Sequence, residues 1–328
     1  GGGGGGGSAG SGGGPVNPFL PGTSCDGPIT TTAGEWQDCS YYGKFDMADI
    51  ERIELIRNSQ EFQEVDASWN NPLTSVVNGR GSTGYGNFGV GTQAHPYELI
   101  HLDVALGAGL TGAGKVVAIL DNGFLLTHQD LDDPDKIAGT FGTIGVQDHG
   151  THVAALIGGD MDNDGILGVA PGARLFLSDW LHGDGGGSAD VAWMAEAVDA
   201  AAAAGAIAHN NSWGWANGAT VANVEAHVSN GSSYYEALSQ AINTNFTAAD
   251  WEAYVDALDK FQETGVVVFA ASNNERMTSA DVASGMPAFF PELEEAWIKS
   301  INGYFEVDGD GDITYAQRLS SGCFAEMA

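Results

Sequence analysis

From His95 onward, short apolar runs alternate with longer stretches in which apolar residues return every three or four positions. That alternation predicts strands separated by helices, and therefore a sheet that is mostly parallel. Val116–Leu120 and Val266–Ala270 are unbroken apolar runs, as expected of strands covered on both faces. Ala173–Leu177 and Ala206–Asn211 are two further strand candidates. Pro96–Leu106 has a helical pattern and is followed by Gly107. Ser188 is placed to cap a helix running to Ala204, with Val191, Met194, Ala195 and Val198 on one face and Gly205 as the stop. Thr247 and Asp250 form a capping-box pair ahead of Trp251, Tyr254, Val255, Leu258 and Phe261. His149–Ile157 is apolar and flanked by glycine, and Met47–Arg57 is an earlier helix candidate.

The N-terminal third lacks this rhythm. Residues 1–14 are a Gly/Ser tract that cannot pack, and residues 1–35 as a whole read as a linker. Residues 36–93 read as an N-terminal extension that ends in the loop-like Asn78–Thr92, and residues 94–328 form the main domain.

Charge narrows the partners. Eleven Lys and Arg face 43 Asp and Glu, for a net charge of −32. Nucleic acids and anionic membranes require basic surface, so both are disfavoured. No apolar run is long enough to span a bilayer, and no signal peptide is visible. Cys25 and Cys39 either close a small loop as a disulfide or remain free thiols, the disulfide being favoured. Cys323 has no evident mate in the chain and is expected to pair beyond it.

Asp121 closes the apolar run Val116–Leu120, and His149 stands 28 positions later at the head of a helix. Carboxyl ends of parallel strands are where function collects. A carboxylate there can accept the Nδ1–H of a histidine, which fixes its tautomer and stabilises the imidazolium. Taken alone, Asp121 before Asn122-Gly123 reads equally as a turn residue. His152, three positions after His149, lacks a third ligand, so zinc is rejected; of the two, one is expected to function and the other to pack. Asn273 follows the buried run Val266–Ala270 and is the candidate side-chain donor to an oxyanion. The loops Asp160–Gly165 and Glu306–Gly311 copy the first half of a calcium loop but lack its closing glutamate. No cofactor is therefore required, and calcium enters only as an option at these loops.

Five segments then fall in a telling order: Val117-Ala-Ile-Leu-Asp-Asn-Gly123, His149-Gly-Thr-His-Val-Ala154, Gly168-Val-Ala-Pro-Gly-Ala173, Asn211-Ser-Trp-Gly214 and Val268-Phe-Ala-Ala-Ser-Asn-Asn274. In this order they resemble the subtilisin-like serine peptidases, over about residues 95–328. The resemblance implies a three-layer α/β fold with a mostly parallel central sheet flanked by helices, incomplete at the C-terminus. It implies Asp121 and His149 as members of an Asp-His-Ser set, Asn273 as the oxyanion side chain, and Ser212, Trp213 and Gly214 as the backbone segment that pairs with an extended polypeptide substrate. It departs from the family at Asn122, where Thr or Ser is usual, and at Ser272, where Gly is usual. The nucleophile is the main departure: Ser284, Ser320 and Ser321 lack the Gly-Thr-Ser-Met-Ala context, so the chain is expected to stop before the serine and to be inactive as it stands. Phe290-Pro-Glu-Leu293, Trp297 and Ser321-Gly-Cys323 further resemble autotransporter passengers, which implies a protein secreted or held at a bacterial surface, with a translocator beyond this segment. The rival readings are a peptide-binding or adhesion module derived from such a peptidase.

Overall fold

Strand alternation builds three layers. In chain order, the computed structural model contains helix α1 (Met47–Arg57), strand β1 (Thr92–Gln93), helices α2 (Pro96–Leu99) and α3 (Leu102–Gly107), strands β2 (Val116–Asp121) and β3 (Ile137–Phe141), helix α4 (Asp148–Gly158), strand β4 (Arg174–Asp179), helix α5 (Val191–Ala203), strand β5 (Ala206–Asn211), helices α6 (Val221–Ser229), α7 (Tyr234–Ile242) and α8 (Ala248–Gln262), and strands β6 (Val266–Ala270), β7 (Trp297–Ser300), β8 (Gly303–Val307) and β9 (Ile313–Arg318). The structure describes residues 47–62, 92–93, 96–181, 190–215, 219–270, 279–300, 303–307 and 313–318. The Gly-rich start, all three cysteines, Ser188, Asn273, Ser320 and Ser321 lie outside them.

β2 to β7 form one sheet in the order β3-β4-β2-β5-β6-β7, and every neighbouring pair is parallel. Successive side chains of a strand point to opposite faces. Ala118 and Leu120 of β2 and Phe176 of β4 therefore join Trp251, Tyr254 and Phe261 of α8 and Met194 and Val198 of α5. Ile119, Leu175 and Leu177 face the other way and pack with Val153 and Ala154 of α4. Each large apolar side chain buried this way contributes about 1.5–3 kcal/mol. β1, β8 and β9 form a separate antiparallel sheet.

The strand order reverses between β2 and β5. From β2 the chain moves toward β4 and β3, and from β5 it moves toward β6 and β7. Such a switch point opens a crevice at the carboxyl ends of the strands.

The expected architecture holds, with local corrections. The helical stretch Pro96–Leu106 is broken into α2 and α3, because His101 takes a left-handed conformation (φ 53°) and ends the first turn. The helix after residue 188 starts later than expected: Asp190 is its cap, accepting Trp193 N–H at 2.8 Å. The capping box of Thr247 and Asp250 is present as expected.

Residues 47–62 dock on the main domain. Arg57 donates two hydrogen bonds to the fully buried Asp103 of α3 (3.0 and 2.6 Å), and Arg52 Nε donates to Gly107 O (3.0 Å). Gly107 has to be glycine, since a Cβ there would lie 2.3 Å from Ile53 Cγ1. Phe62 packs edge-on against Tyr97, within a small core that includes Leu102, Leu106 and Leu167.

Candidate active site

Asp121 is the last residue of β2 and is 1% exposed. Its Oδ1 lies 2.7 Å from His149 Nδ1, and the His149 side chain remains 52% exposed. A carboxylate only accepts, so this contact places the proton on Nδ1 and leaves Nε2 as the free, basic nitrogen. The same Oδ1 accepts the N–H of Asn122 at 2.8 Å. Burial pushes the Asp121 carboxyl up, nearby Asp179 adds to that, and the bonds from His149 and Asn122 oppose it.

His149 is the second residue of α4, and the approach to this helix is pinned from below. Asp179, in register with Asp121 on the adjacent strand, accepts Gly145 N–H through Oδ2 and Leu181 N–H through Oδ1, both at 2.8 Å. Phe124 N–H donates to Gly145 O at 2.7 Å. Gly123 (φ 101°) makes this possible, because a Cβ would meet Gly145 O at 2.7 Å. A Cβ on Gly150 would lie 2.2 Å from Gly123 O, so only glycine after His149 lets the helix sit this close to β2.

Asn210 is in register with Ile119, so Ser212, Trp213 and Gly214 leave the sheet at the same edge as Asp121. Asn211 and Phe269 are paired across β5 and β6, so β6 also ends at this edge, with Asn273 three residues beyond it and outside the described residues. Asn211 Nδ2 bonds to His209 Nδ1 (3.0 Å) and reaches Val268 O (3.3 Å), which stiffens the exit of β5. His209 itself is buried against Phe261, and burial pulls its pKa down to about 4, so it stays neutral.

His152 does not pack as expected. It is exposed on α4, because Gly150, Thr151 and Val153 take the inward positions. Ser284, whose context comes nearest to a nucleophile segment, is fully buried. Asp179 was missed in the sequence, although its placement at the end of Leu175–Ser178 repeats the signal that singled out Asp121.

A second polar feature lies on the 160–166 loop. Asp130 Oδ1 accepts Ile166 N–H (3.1 Å), and Glu61 Oε1 accepts Asp162 N–H (3.0 Å). Their other oxygens are buried without a hydrogen-bond partner among the described residues. His128 Nδ1 is 3.4 Å from Asp130 Oδ2, but this nitrogen already accepts Asp130 N–H and has no proton to give when the ring is neutral. Burial pushes both carboxyls up. Among the described residues, no three Asp, Glu, His or Cys side chains converge into a ready metal centre, so an ion here would also need loop carbonyls.

The profile of the subtilase family (Peptidase S8) matches residues 112–298, more than half of the chain. The chain belongs to the subtilase family. Subtilisin BL of Lederbergia lenta is 32% identical to this subtilase over 192 residues, covering 57% of the chain and 58% of the relative. Subtilisin DY of Bacillus licheniformis is 29% identical over 211 residues, covering 61% and 63%. The chain thus spans about three-fifths of the length of these relatives. Among solved structures, fervidolysin from Fervidobacterium pennivorans, a keratinolytic enzyme related to subtilisin, is 24% identical, covering 64% of this chain and 27% of that one, with a TM-score of 0.41.

Proposed function

We propose that this subtilase acts in serine-type peptide cleavage with His149 as the general base and Asp121 orienting it, while no serine of residues 1–328 stands in a Gly-Thr-Ser-Met-Ala context. The observation that carries this reading is the 2.7 Å contact between the buried Asp121 carboxylate and His149 Nδ1, on a ring half-open to solvent. His149 Nε2 takes the serine proton as the oxygen attacks the peptide carbonyl, then returns it to the leaving amine. Asn273 donates to the oxyanion, and Ser212–Gly214 pairs with extended substrate beside the switch point. The expected substrates are polypeptides. One relative carries the name minor extracellular protease, which supports secretion as the proposed setting. Among the described residues, no helix is long and apolar enough to cross a membrane.

The chemistry needs no cofactor. Calcium is proposed as a structural ligand at residues 160–166, where Glu61 Oε2 and Asp130 Oδ2 are buried oxygens without a hydrogen-bond partner among the described residues. Bound there, it would neutralise these carboxylates and stiffen the loop.

The test is a longer coding form that includes a serine in the Gly-Thr-Ser-Met-Ala context. A serine-reactive phosphonate should label that serine, and His149→Ala should suppress the labelling. Labelling that persists in His149→Ala would refute the assignment, and binding of peptides without any labelling or cleavage would favour a non-catalytic module.

A further inference from the structure

The first-turn N–H groups of a helix need acceptors from outside it. At α4 the residue in the capping position, Gln147, provides no side-chain cap. The acceptor comes instead from another element: Asn122 Oδ1 takes Gly150 N–H at 3.1 Å. The main-chain N–H of the same Asn122 donates to Asp121 Oδ1 at 2.8 Å, the oxygen that also meets His149 Nδ1. Asn122 therefore holds the carboxylate with its backbone and the histidine-bearing helix with its side chain. Thr151 makes the reciprocal tether, with its Oγ1 accepting Leu125 N–H at 2.8 Å and donating to Gln147 O at 2.6 Å.

We propose that Asn122 is a positioning residue for the Asp121–His149 pair, capping α4 across the fold so that the imidazole stays in line with the carboxylate. The proposal rests on the reading of these two residues as the working pair. A misplacement of about 1 Å can cost on the order of a hundredfold in rate, so a tether at this point matters to the chemistry as well as to the helix. A hydroxyl at position 122 is one atom too short for this reach. An aspartate keeps the accepting oxygen.

The experiment uses the chain 1–328 with 15N-labelled histidine, His149 being assigned through His149→Gln. In the unsubstituted chain the ring nitrogens should report a proton held on Nδ1. Asn122→Ala should shift His149 toward a mixture of tautomers and speed amide exchange at Gly150 by roughly two- to thirtyfold, the range that loss of a helix cap gives. Asn122→Asp should restore both. If Asn122→Ala does not fold, Asn122→Ser is read in the same way. Unchanged ring signals alongside faster Gly150 exchange would show a mere helix cap and overturn the proposal. A His149 that is not Nδ1-protonated in the unsubstituted chain, or that ignores Asp121→Asn, would sink the underlying reading whatever Asn122 does.

Discussion

Replacing Lys136 with methionine should unfold this domain far more readily than any surface charge change. Lys136 is 4% exposed, and its Nζ donates to Gly158 O (2.7 Å) and Pro171 O (2.6 Å) while pairing with Asp160 Oδ1 at 2.7 Å. One ammonium thus closes both ends of the segment that contains the acidic loop. Hydrogen bonds to a charged group contribute about 1.5–3 kcal/mol each, and removing one partner of a buried pair costs about 3–5 kcal/mol. Methionine keeps the apolar stem in place, and Asp160, with its side chain 21% exposed, can rehydrate. The expected loss for Lys136→Met is therefore about 3–5 kcal/mol, and Asp160→Asn added to it should recover part of the loss. Urea unfolding followed by tryptophan fluorescence measures both. Lys260 serves as the control: its bond to Asp199 is also within hydrogen-bond reach (2.9 Å), but the side chains are 66% and 52% exposed, so Lys260→Met should shift no midpoint. A loss below about 1 kcal/mol for Lys136→Met would refute the reasoning that burial makes the difference.

The other expectations are narrower. Chain 1–328 should resist serine-reactive phosphonates, because Ser284 is fully buried; a label mapped to Ser284 by mass spectrometry would contradict this. In a nucleophile-bearing form, Asp121→Asn should lower kcat on the order of a thousandfold or more with little change in KM, and an unchanged kcat would refute its role. Asp130 and Glu61 have raised pKa values, so without calcium their contribution to stability is present at low pH and is lost as pH rises through the folded values. Asp130→Asn should accordingly gain Tm relative to the unsubstituted chain toward neutral pH, and calcium should reverse the order; indifference to calcium would remove the proposed ion. Gly107→Ala should cost about 1–3 kcal/mol and expose Arg52 and Arg57 to trypsin, because its Cβ displaces Ile53.

The parts of the fold that were legible are those with an unbroken apolar run or a capped apolar stripe. β2 packs Ala118 and Leu120 on one face and Ile119 on the other, so its apolar run is unbroken, and α8 announced itself through the Thr247 capping box and its apolar stripe. β3 went unread because Ile137–Phe141 is an edge strand that is only half-buried and has a glycine at its centre. α6 and α7 also carry capping boxes, Thr220 with Asn223 and Ser233 with Glu236, but each is only nine residues long, too few turns for a periodic pattern to stand out. Ser188 was a poorer cap than Asp190 because the cap must lie directly before the first turn. At the site, the Asp121 and His149 pairing was legible from residue order and motif. The supports were not, since Asp179, Asn122 and Thr151 act through contacts between residues that lie 26 to 34 positions apart.

The docking of residues 47–62 also bears on how the chain assembles during synthesis. Glu61 bonds to Asp162 across 101 residues, and Arg57 meets Asp103 across 46. A ribosome adding about 5–20 residues per second exposes α1 seconds before the loop that receives Glu61 has emerged. With its apolar contacts still unmade, a lone eleven-residue helix is marginal in water. Closure of the N-terminal segment is thus a late, long-range event rather than an early nucleus. A chaperone that shields Ile53 and Phe62 would act in that interval.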